Sequence, residues 1–179
     1  MTKKEKVYAF IDSQNLNVSV QKFGWKMDWR KFRQFLADKY GVEQAYMFIG
    51  YVPEFEEMYE FLHDAGYSVV LKPTYDMTKP REEGDETAKE EKKIKGNIDA
   101  ELVLWAMKDL PKYDKAIIVS GDGDFYCLIE YLDQQGKLLK VMPPNVHFSR
   151  LFKPYEKYID HLGHYKRELA YHDKPRRSR

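Results

Sequence analysis

The sequence predicts an α/β fold, a three-layer sandwich in which a mostly parallel central sheet lies between helices on both faces. Short apolar runs alternate with amphipathic segments along the 179 residues. The runs are apolar throughout, which is typical of strands that are buried on both faces. Strands that alternate with helices need crossover connections, and these favour parallel pairing. Five strands are predicted, at residues 7–11, 44–49, 67–71, 116–119 and 138–142.

Three amphipathic segments between these runs have the ends that helices require. The first begins after Asp28, a capping residue, and the second begins at Pro53, which suits the first turn of a helix. Each of the three stripes is followed by a glycine, the residue that most often ends a helix. A fourth helix is predicted at about residues 98–110. The apolar stripes are Trp29, Phe32 and Leu36, closed by Gly41; Phe55, Met58, Tyr59 and Leu62, closed by Gly66; and Phe125, Leu128, Ile129 and Leu132, closed by Gly136.

The chain has the length of one domain, which we predict at residues 1–145, followed by a C-terminal helix and basic tail at 146–179. Apolar residues between 148 and 162 predict the helix, with an interruption near Pro154. Residues 164–179 contain six lysines and arginines against two acids. A segment at about 78–95 is charged and almost without apolar residues, so it is predicted to be a surface loop.

Composition excludes several classes of protein. Hydrophobic residues make up 43% and charged residues 33%, so the chain is globular, while a net charge of +1 gives no overall basic character. A lone cysteine, Cys127, forms no intramolecular disulfide and favours a reducing, cytoplasmic location. No apolar stretch is long enough to cross a membrane. His161 and His164 are three residues apart without a nearby thiolate or carboxylate motif, and surface positions are expected for both.

Four acids are predicted to converge at one edge of the sheet. Asp12 follows the first strand, Asp122 and Asp124 follow the fourth strand within SGDGDF, and Asp99 lies in the first turn of the fourth helix. Ligands of open α/β sheets gather at the carboxyl ends of the strands. Singly, each acid has a structural explanation as a turn or cap residue. Together they repel one another unless a cation neutralises them, and carboxylates suit Mg²⁺ or Mn²⁺.

Three motifs, IDSQN, KGNID and SGDGDF, resemble in order the blocks of the NYN domain, in the LabA-like branch of the PIN-like nucleases. The resemblance covers roughly residues 7–143. It implies a PIN-like parallel sheet and an acidic site that binds Mg²⁺ or Mn²⁺ and cuts RNA. The chain departs from many members at Ser13, where they have glycine or alanine. Position by position, Asp12, Asp99, Asp122 and Asp124 match the family's acids, Asn15 its polar partner and Ser120 its hydroxyl.

The resemblance makes a metal-dependent ribonuclease the expected function. Asp99 and Asp122, together with Asp12, are expected to hold one or two divalent ions, while Asp124 orients the attacking water or a second ion. Asn15 and Ser120 are expected to hydrogen-bond a phosphate oxygen or to fix a carboxylate. Lys95 is a candidate contact to the nucleic-acid backbone.

Single-stranded RNA is the expected partner. Aromatic side chains beside the sheet edge suit the stacking of unpaired bases, and Tyr51, Tyr75 and Phe148 are candidates. Since PIN-like domains often associate, the resemblance leaves a homodimer open.

Two other classes of function remain as alternatives. One is a non-catalytic RNA-binding or regulatory NYN module, which the intact acids argue against. The other is a phosphatase or phosphotransfer domain with Asp12 as nucleophile. Haloacid-dehalogenase-like enzymes have an acid two residues after the first, where this chain has Gln14. A Toprim-like domain would have a glutamate near the first strand, where this chain has Asp12.

Overall fold

The structure, a computed structural model, describes residues 4–73, 75–76, 94–95 and 98–172. Within this part of the chain, five strands form one parallel sheet: β1 Val7–Asp12, β2 Val42–Gly50, β3 Ser68–Lys72, β6 Lys115–Val119 and β7 Leu138–Val141. Their order is β3-β2-β1-β6-β7. Two short strands, β4 Tyr75–Asp76 and β5 Ile94–Lys95, pair antiparallel to each other. All five predicted strands are confirmed.

Helices cover both faces of the sheet. One layer holds α1 Ser13–Lys22, α2 Trp29–Tyr40 and α3 Glu56–Asp64, and the other holds α4 Asp99–Lys108 and α5 Tyr126–Gln134. Ala9 and Ile11 of β1 face the first layer and Phe10 faces the second, and all three are fully buried. The three-layer α/β fold is therefore confirmed. Truncating a core side chain such as Phe10 to alanine costs roughly 3–5 kcal/mol.

The helix ends follow the predicted signals. The carboxylate of Asp28 accepts a hydrogen bond from the backbone N–H of Lys31 at 3.1 Å, and Gly41 ends α2 with a φ of 68°. A short 3₁₀ turn, Pro53–Phe55, leads into α3. Gly66 and Gly136 also have positive φ, which only glycine adopts without strain.

Helix α1 was missed by the sequence reasoning. Its sequence, SQNLNVSVQK, is polar, and only Leu16 and Val20 are buried. The one local signal is Asp12, which accepts a hydrogen bond from the backbone N–H of Asn15 at 3.0 Å and so caps the helix. A stripe of two apolar residues is too narrow to predict a helix by periodicity.

The C-terminal segment forms 3₁₀ turns where a longer interrupted helix was predicted. Arg150–Tyr158 is 3₁₀ with a non-helical Tyr155 next to Pro154, because proline removes a backbone donor and crowds the preceding turn. Leu162–Tyr165 is also 3₁₀, and α6 spans Lys166–Leu169. Phe152 packs in the core beside α4 and α5, while Leu162 and Leu169 pack in the opposite core. Residues beyond 145 thus complete both cores.

Two predicted segments are described only in part. Of the charged loop at about 78–95 the structure describes Ile94–Lys95, and of the basic tail it describes the residues up to 172. Among the helices that the structure describes, none combines the length and apolar character needed to cross a bilayer.

Candidate metal centre

The candidate site lies where the direction of strand addition reverses. After β1 the chain adds β2 on one side, and after β6 it adds β7 on the other side, so the switch point of the sheet, where ligands of open α/β sheets bind, lies between β1 and β6. Ile11 pairs with Val119, and the next residues on the two strands are Asp12 and Ser120. The strand order alone therefore brings the IDSQN and SGDGDF motifs together.

Three of the four predicted acids form a cluster that we call the Asp triad: Asp99, Asp122 and Asp124. One carboxylate oxygen from each lies within 4.8 Å of the others. Asp99 is the first residue of α4, while Asp122 caps the 3₁₀ turn Gly123–Phe125 that contains Asp124. Asp124 is exposed and the other two are half-buried. Within the described residues, this is the one group of three or more acids, histidines or cysteines that are close enough to share an ion.

The Asp triad fits Mg²⁺ or Mn²⁺. Ligand oxygens lie about 2.1 Å from Mg²⁺, so neighbouring oxygens around one ion are roughly 3 Å apart and opposite ones roughly 4 Å apart. The separations within the triad therefore need little adjustment. Because the triad is partly open to solvent, waters can fill the remaining coordination positions, as this ion prefers.

Asp12 lies behind the triad in a buried position. It is 4% exposed, and its two carboxylate oxygens accept hydrogen bonds from the backbone N–H of Asn15 at 3.0 Å and from the Ser120 hydroxyl at 3.1 Å. Burial raises the pKa of Asp12 to about 6, and the charges of Asp99 and Asp122 add to this, while the two hydrogen bonds oppose it. Asp12 thus interacts electrostatically with the triad but is not one of its three members.

Asn15 and Ser120 hold the loop that carries Asp122 and Asp124. The side-chain oxygen of Asn15 accepts a hydrogen bond from the backbone N–H of Gly121 at 3.1 Å. The Ser120 hydroxyl also accepts one from the backbone N–H of Asp122 at 3.1 Å. Asp122 in turn accepts one from the backbone N–H of Asp124 at 3.1 Å. Ser120 thus contacts the Asp12 carboxylate and Asn15 contacts the backbone of the loop, while the phosphate contact expected of both stays a prediction.

The glycines of SGDGDF allow the C-terminal segment to pack on this loop. A Cβ at Gly123 would lie 2.5 Å from the Ser149 hydroxyl, and one at Gly121 would lie 3.3 Å from the Cβ of Phe148. The backbone N–H of Ser149 donates to the Gly121 carbonyl at 3.0 Å. The sequence explains Asp-Gly as a turn signal, and the close approach of Phe148 and Ser149 is a second, tertiary reason that favours glycine at these two positions.

An ion pair near Asp99 was also missed. Glu101, two residues along α4, binds the ammonium of Lys72 at 3.0 Å and so ties α4 to the end of β3. The partners are far apart in sequence, so no local pattern could have indicated the pair.

Of the remaining candidates, Phe148 packs against the SGDGDF loop, Tyr51 follows the end of β2, and two others have side chains outside the described residues. The Tyr51 hydroxyl donates to Glu56 at 2.9 Å, and Phe148 stacks on Phe152 with ring centroids 6.4 Å apart. The side chains of Tyr75 and Lys95 are outside the described residues.

His161 and His164 are neighbours. Their ring centroids are 3.5 Å apart, and burial together with His164 lowers the pKa of His161. His164 is exposed as expected, but His161 is only partly exposed.

Comparisons with known proteins give the family. The NYN domain family model matches residues 6–161. The protein LabA ("low amplitude and bright") of Synechococcus elongatus is 29% identical over 156 residues, which cover 84% of this chain and 81% of LabA. The crystal structure of a protein of unknown function from Vibrio parahaemolyticus superimposes with a TM-score of 0.73 at 23% identity, covering 96% of this chain and 99% of the other, and shows the same fold. The chain belongs to the NYN domain family, as a LabA-like member of the PIN-like nuclease superfamily.

Proposed function

We propose that this protein is a metal-dependent ribonuclease that hydrolyses phosphodiester bonds of single-stranded RNA. The observation that carries the proposal is the Asp triad near the switch point between β1 and β6, with the buried Asp12 beside it. Crowded carboxylates destabilise a fold unless a cation neutralises them, so the cluster points to ion binding. Membership of a family of PIN-like nucleases supports phosphodiester hydrolysis as the use of that ion.

Each acid has a part in this mechanism. Asp99, Asp122 and Asp124 would hold Mg²⁺ or Mn²⁺, which when bound lowers the pKa of a water and offsets negative charge on the scissile phosphate. Asp12 adds negative charge behind the triad, which strengthens cation binding. Ser120 and Asn15 keep the loop in place, so that the triad is formed before substrate arrives.

The expected products carry a 5′-phosphate and a 3′-hydroxyl. Water is the nucleophile in this mechanism, so the 2′-hydroxyl of RNA takes no part in bond breaking. A single 2′-deoxy nucleotide at the cleaved position is therefore expected to be cut as well. A 2′,3′-cyclic phosphate product would contradict the mechanism.

The cytoplasm and a homodimer remain predictions for this protein. The lone cysteine, exposed on α5, is in keeping with a reducing compartment.

Cleavage of labelled single-stranded RNA tests the proposal. Wild type, Asp122→Asn and the control Asp38→Asn are compared with Mn²⁺, with Mg²⁺ and with chelator. Asparagine at position 122 keeps an acceptor for the Asp124 backbone N–H, so folding should persist while the rate falls by about a hundredfold or more. Asp38 is an exposed acid on α2, hydrogen-bonded to Gln34 at 2.8 Å, and its variant should cut like wild type.

Other outcomes would decide against the ribonuclease. Cleavage that persists in chelator, or equally in Asp122→Asn, would contradict a catalytic Asp triad. RNA binding without cleavage under any condition would instead identify a non-catalytic RNA-binding module.

A further inference from the structure

A pocket of about 330 Å³ lies along helix α1, at the edge of the sheet where the strands end. The helix presents different residues to three surroundings. Leu16 and Val20 enter the core, Asn15 binds the SGDGDF loop, and Gln14 and Asn17 line the pocket. The pocket also includes Ser13, the residue directly after Asp12. Because Ser13 follows the end of β1 and Gly50 ends β2, the pocket lies at the same edge of the sheet as the candidate site.

The lining of this pocket is uncharged. Among the described residues that line it, none is acidic or basic, although 33% of the chain is charged. Met47 and Ile49 of β2 contribute buried apolar surface, and Phe55 and Met58 contribute apolar side chains at the start of α3. A phosphate group would find no counter-charge there, whereas a neutral, flat, partly apolar group would be well accommodated.

The exposed residues of the pocket match the surface of a nucleobase. Phe55 is 51% exposed and Val18 is 45% exposed, so both leave apolar surface in contact with water. The side chain of the exposed Gln14 makes no hydrogen bond within the described part of the chain, and its amide offers both a donor and an acceptor. Proteins recognise single-stranded RNA by stacking bases on aromatic rings and by hydrogen-bonding their edges.

The wall that carries Phe55 is held in place. The Tyr59 hydroxyl accepts a hydrogen bond from the backbone N–H of Val52 at 2.8 Å, just before the Pro53–Phe55 turn. Proline restricts the turn further, because its φ is fixed. A preformed wall lowers the entropy cost of binding.

We propose that this pocket binds one unstacked nucleobase of an RNA strand whose backbone lies at the Asp triad. The proposal rests on the proposed function for its substrate, RNA. Phe55 stacks on the base, while Gln14 and Asn17 hydrogen-bond its edge. These three residues would determine which nucleotide is placed beside the cleaved bond.

A thermodynamic cycle between the protein and the RNA tests the pocket. Binding of a labelled single-stranded RNA is measured by fluorescence anisotropy in the Asp122→Asn background with Mg²⁺, so that the RNA stays intact. The same RNA is then made with one abasic nucleotide at each position in turn. One abasic position should weaken binding about tenfold, the usual loss for one stacked base.

Phe55→Ala should weaken binding of intact RNA by about the same factor. In this variant the abasic nucleotide should cause no further loss, since the substitution and the missing base remove the same stacking contact. Phe55→Trp should retain binding, and Gln14→Ala should weaken it for a subset of bases. Phe61→Ala is the matched control, because Phe61 is an exposed phenylalanine of α3 outside the pocket lining and lies under Arg30 at 4.7 Å.

The outcomes separate this proposal from the proposed function. An abasic penalty that persists in Phe55→Ala overturns the base pocket even if the enzyme cuts RNA. Absence of any RNA binding overturns it too. If binding depends on the base and on Phe55 but the protein never cuts RNA, the base pocket is supported and the ribonuclease function is excluded.

Discussion

Asp12 and Asp124 are the same kind of side chain in two different surroundings within one site. Asp12 is 4% exposed and both of its carboxylate oxygens accept hydrogen bonds, whereas Asp124 is exposed and lies within 4.8 Å of two other carboxylates. We call Asp12, Asn15 and Ser120 the buried half of the site, and the Asp triad the exposed half. The buried half has its hydrogen bonds satisfied by protein, and the exposed half is open to a cation and water.

The two halves differ in burial and hydrogen bonding, not in residue type, and under the proposed function this difference separates positioning residues from metal ligands. The buried half links β1, α1 and the SGDGDF loop through direct hydrogen bonds. The buried half destabilises the folded protein at neutral pH, because Asp12 is then ionised in surroundings that favour its protonated form. Such a cost is common where a group serves function rather than stability.

The largest expected effect distinguishes the two halves by metal affinity. Asp99→Asn removes one of the three proposed ligands and should weaken Mn²⁺ binding by more than about a hundredfold. Asp12→Asn acts through the triad and should weaken it about tenfold, as expected for a group beyond the direct ligands. Titration with Mn²⁺, followed by electron paramagnetic resonance of the free ion, measures both. Equal losses would show that Asp12 binds the ion as the triad does, and the comparison would fail.

A smaller effect concerns stability in chelator. The folded protein holds the Asp12 proton with a pKa of about 6, above that of the unfolded chain, so stability is lost as pH rises from about 4 to about 6. Asp12→Asn removes this loss and retains a capping side chain. Its free energy of unfolding should exceed that of wild type by up to about 3 kcal/mol at pH 8 and match it below about pH 4.

Urea unfolding across this pH range measures the difference. The matched control is Asp28→Asn, which changes the partly exposed cap of α2, an aspartate 3.9 Å from Lys31. It should show no pH-dependent gain. A constant offset between Asp12→Asn and wild type at every pH would contradict burial as the cause.

The smallest expected effect is at Ser120. Ser120→Ala leaves a carboxylate oxygen of Asp12 and the backbone N–H of Asp122 without their partner, which should cost about 1–3 kcal/mol. The loss should be greater at pH 8 than at pH 4, because the hydroxyl stabilises the ionised carboxylate. Ser149→Ala removes an acceptor for the Leu151 backbone N–H and should show no such pH dependence. A loss that is equal at both pH values would contradict the role of Ser120 in stabilising the Asp12 charge.

Much of the fold could be predicted from the sequence, because its signals are local. Buried parallel strands are apolar at every position, and helices such as α2 carry a cap at Asp28 and a glycine at Gly41. The signal failed for α1, where polar residues face solvent, the loop and the pocket. The local signals also failed at Arg150–Tyr158. This segment buries Phe152 and Tyr155 by forming 3₁₀ turns and not the predicted helix.

For the site, the sequence determined which acids follow which strands, and the parallel order brought them to one edge. Tertiary structure alone decided that Asp12 is buried while Asp99, Asp122 and Asp124 converge, because burial and distance depend on how α1 and α4 pack on the sheet. It also decided the pocket, whose lining comes from α1, α2, β2, the Pro53–Phe55 turn and α3. Residues so far apart in the chain share no sequence pattern, so their common surface exists only in the folded protein.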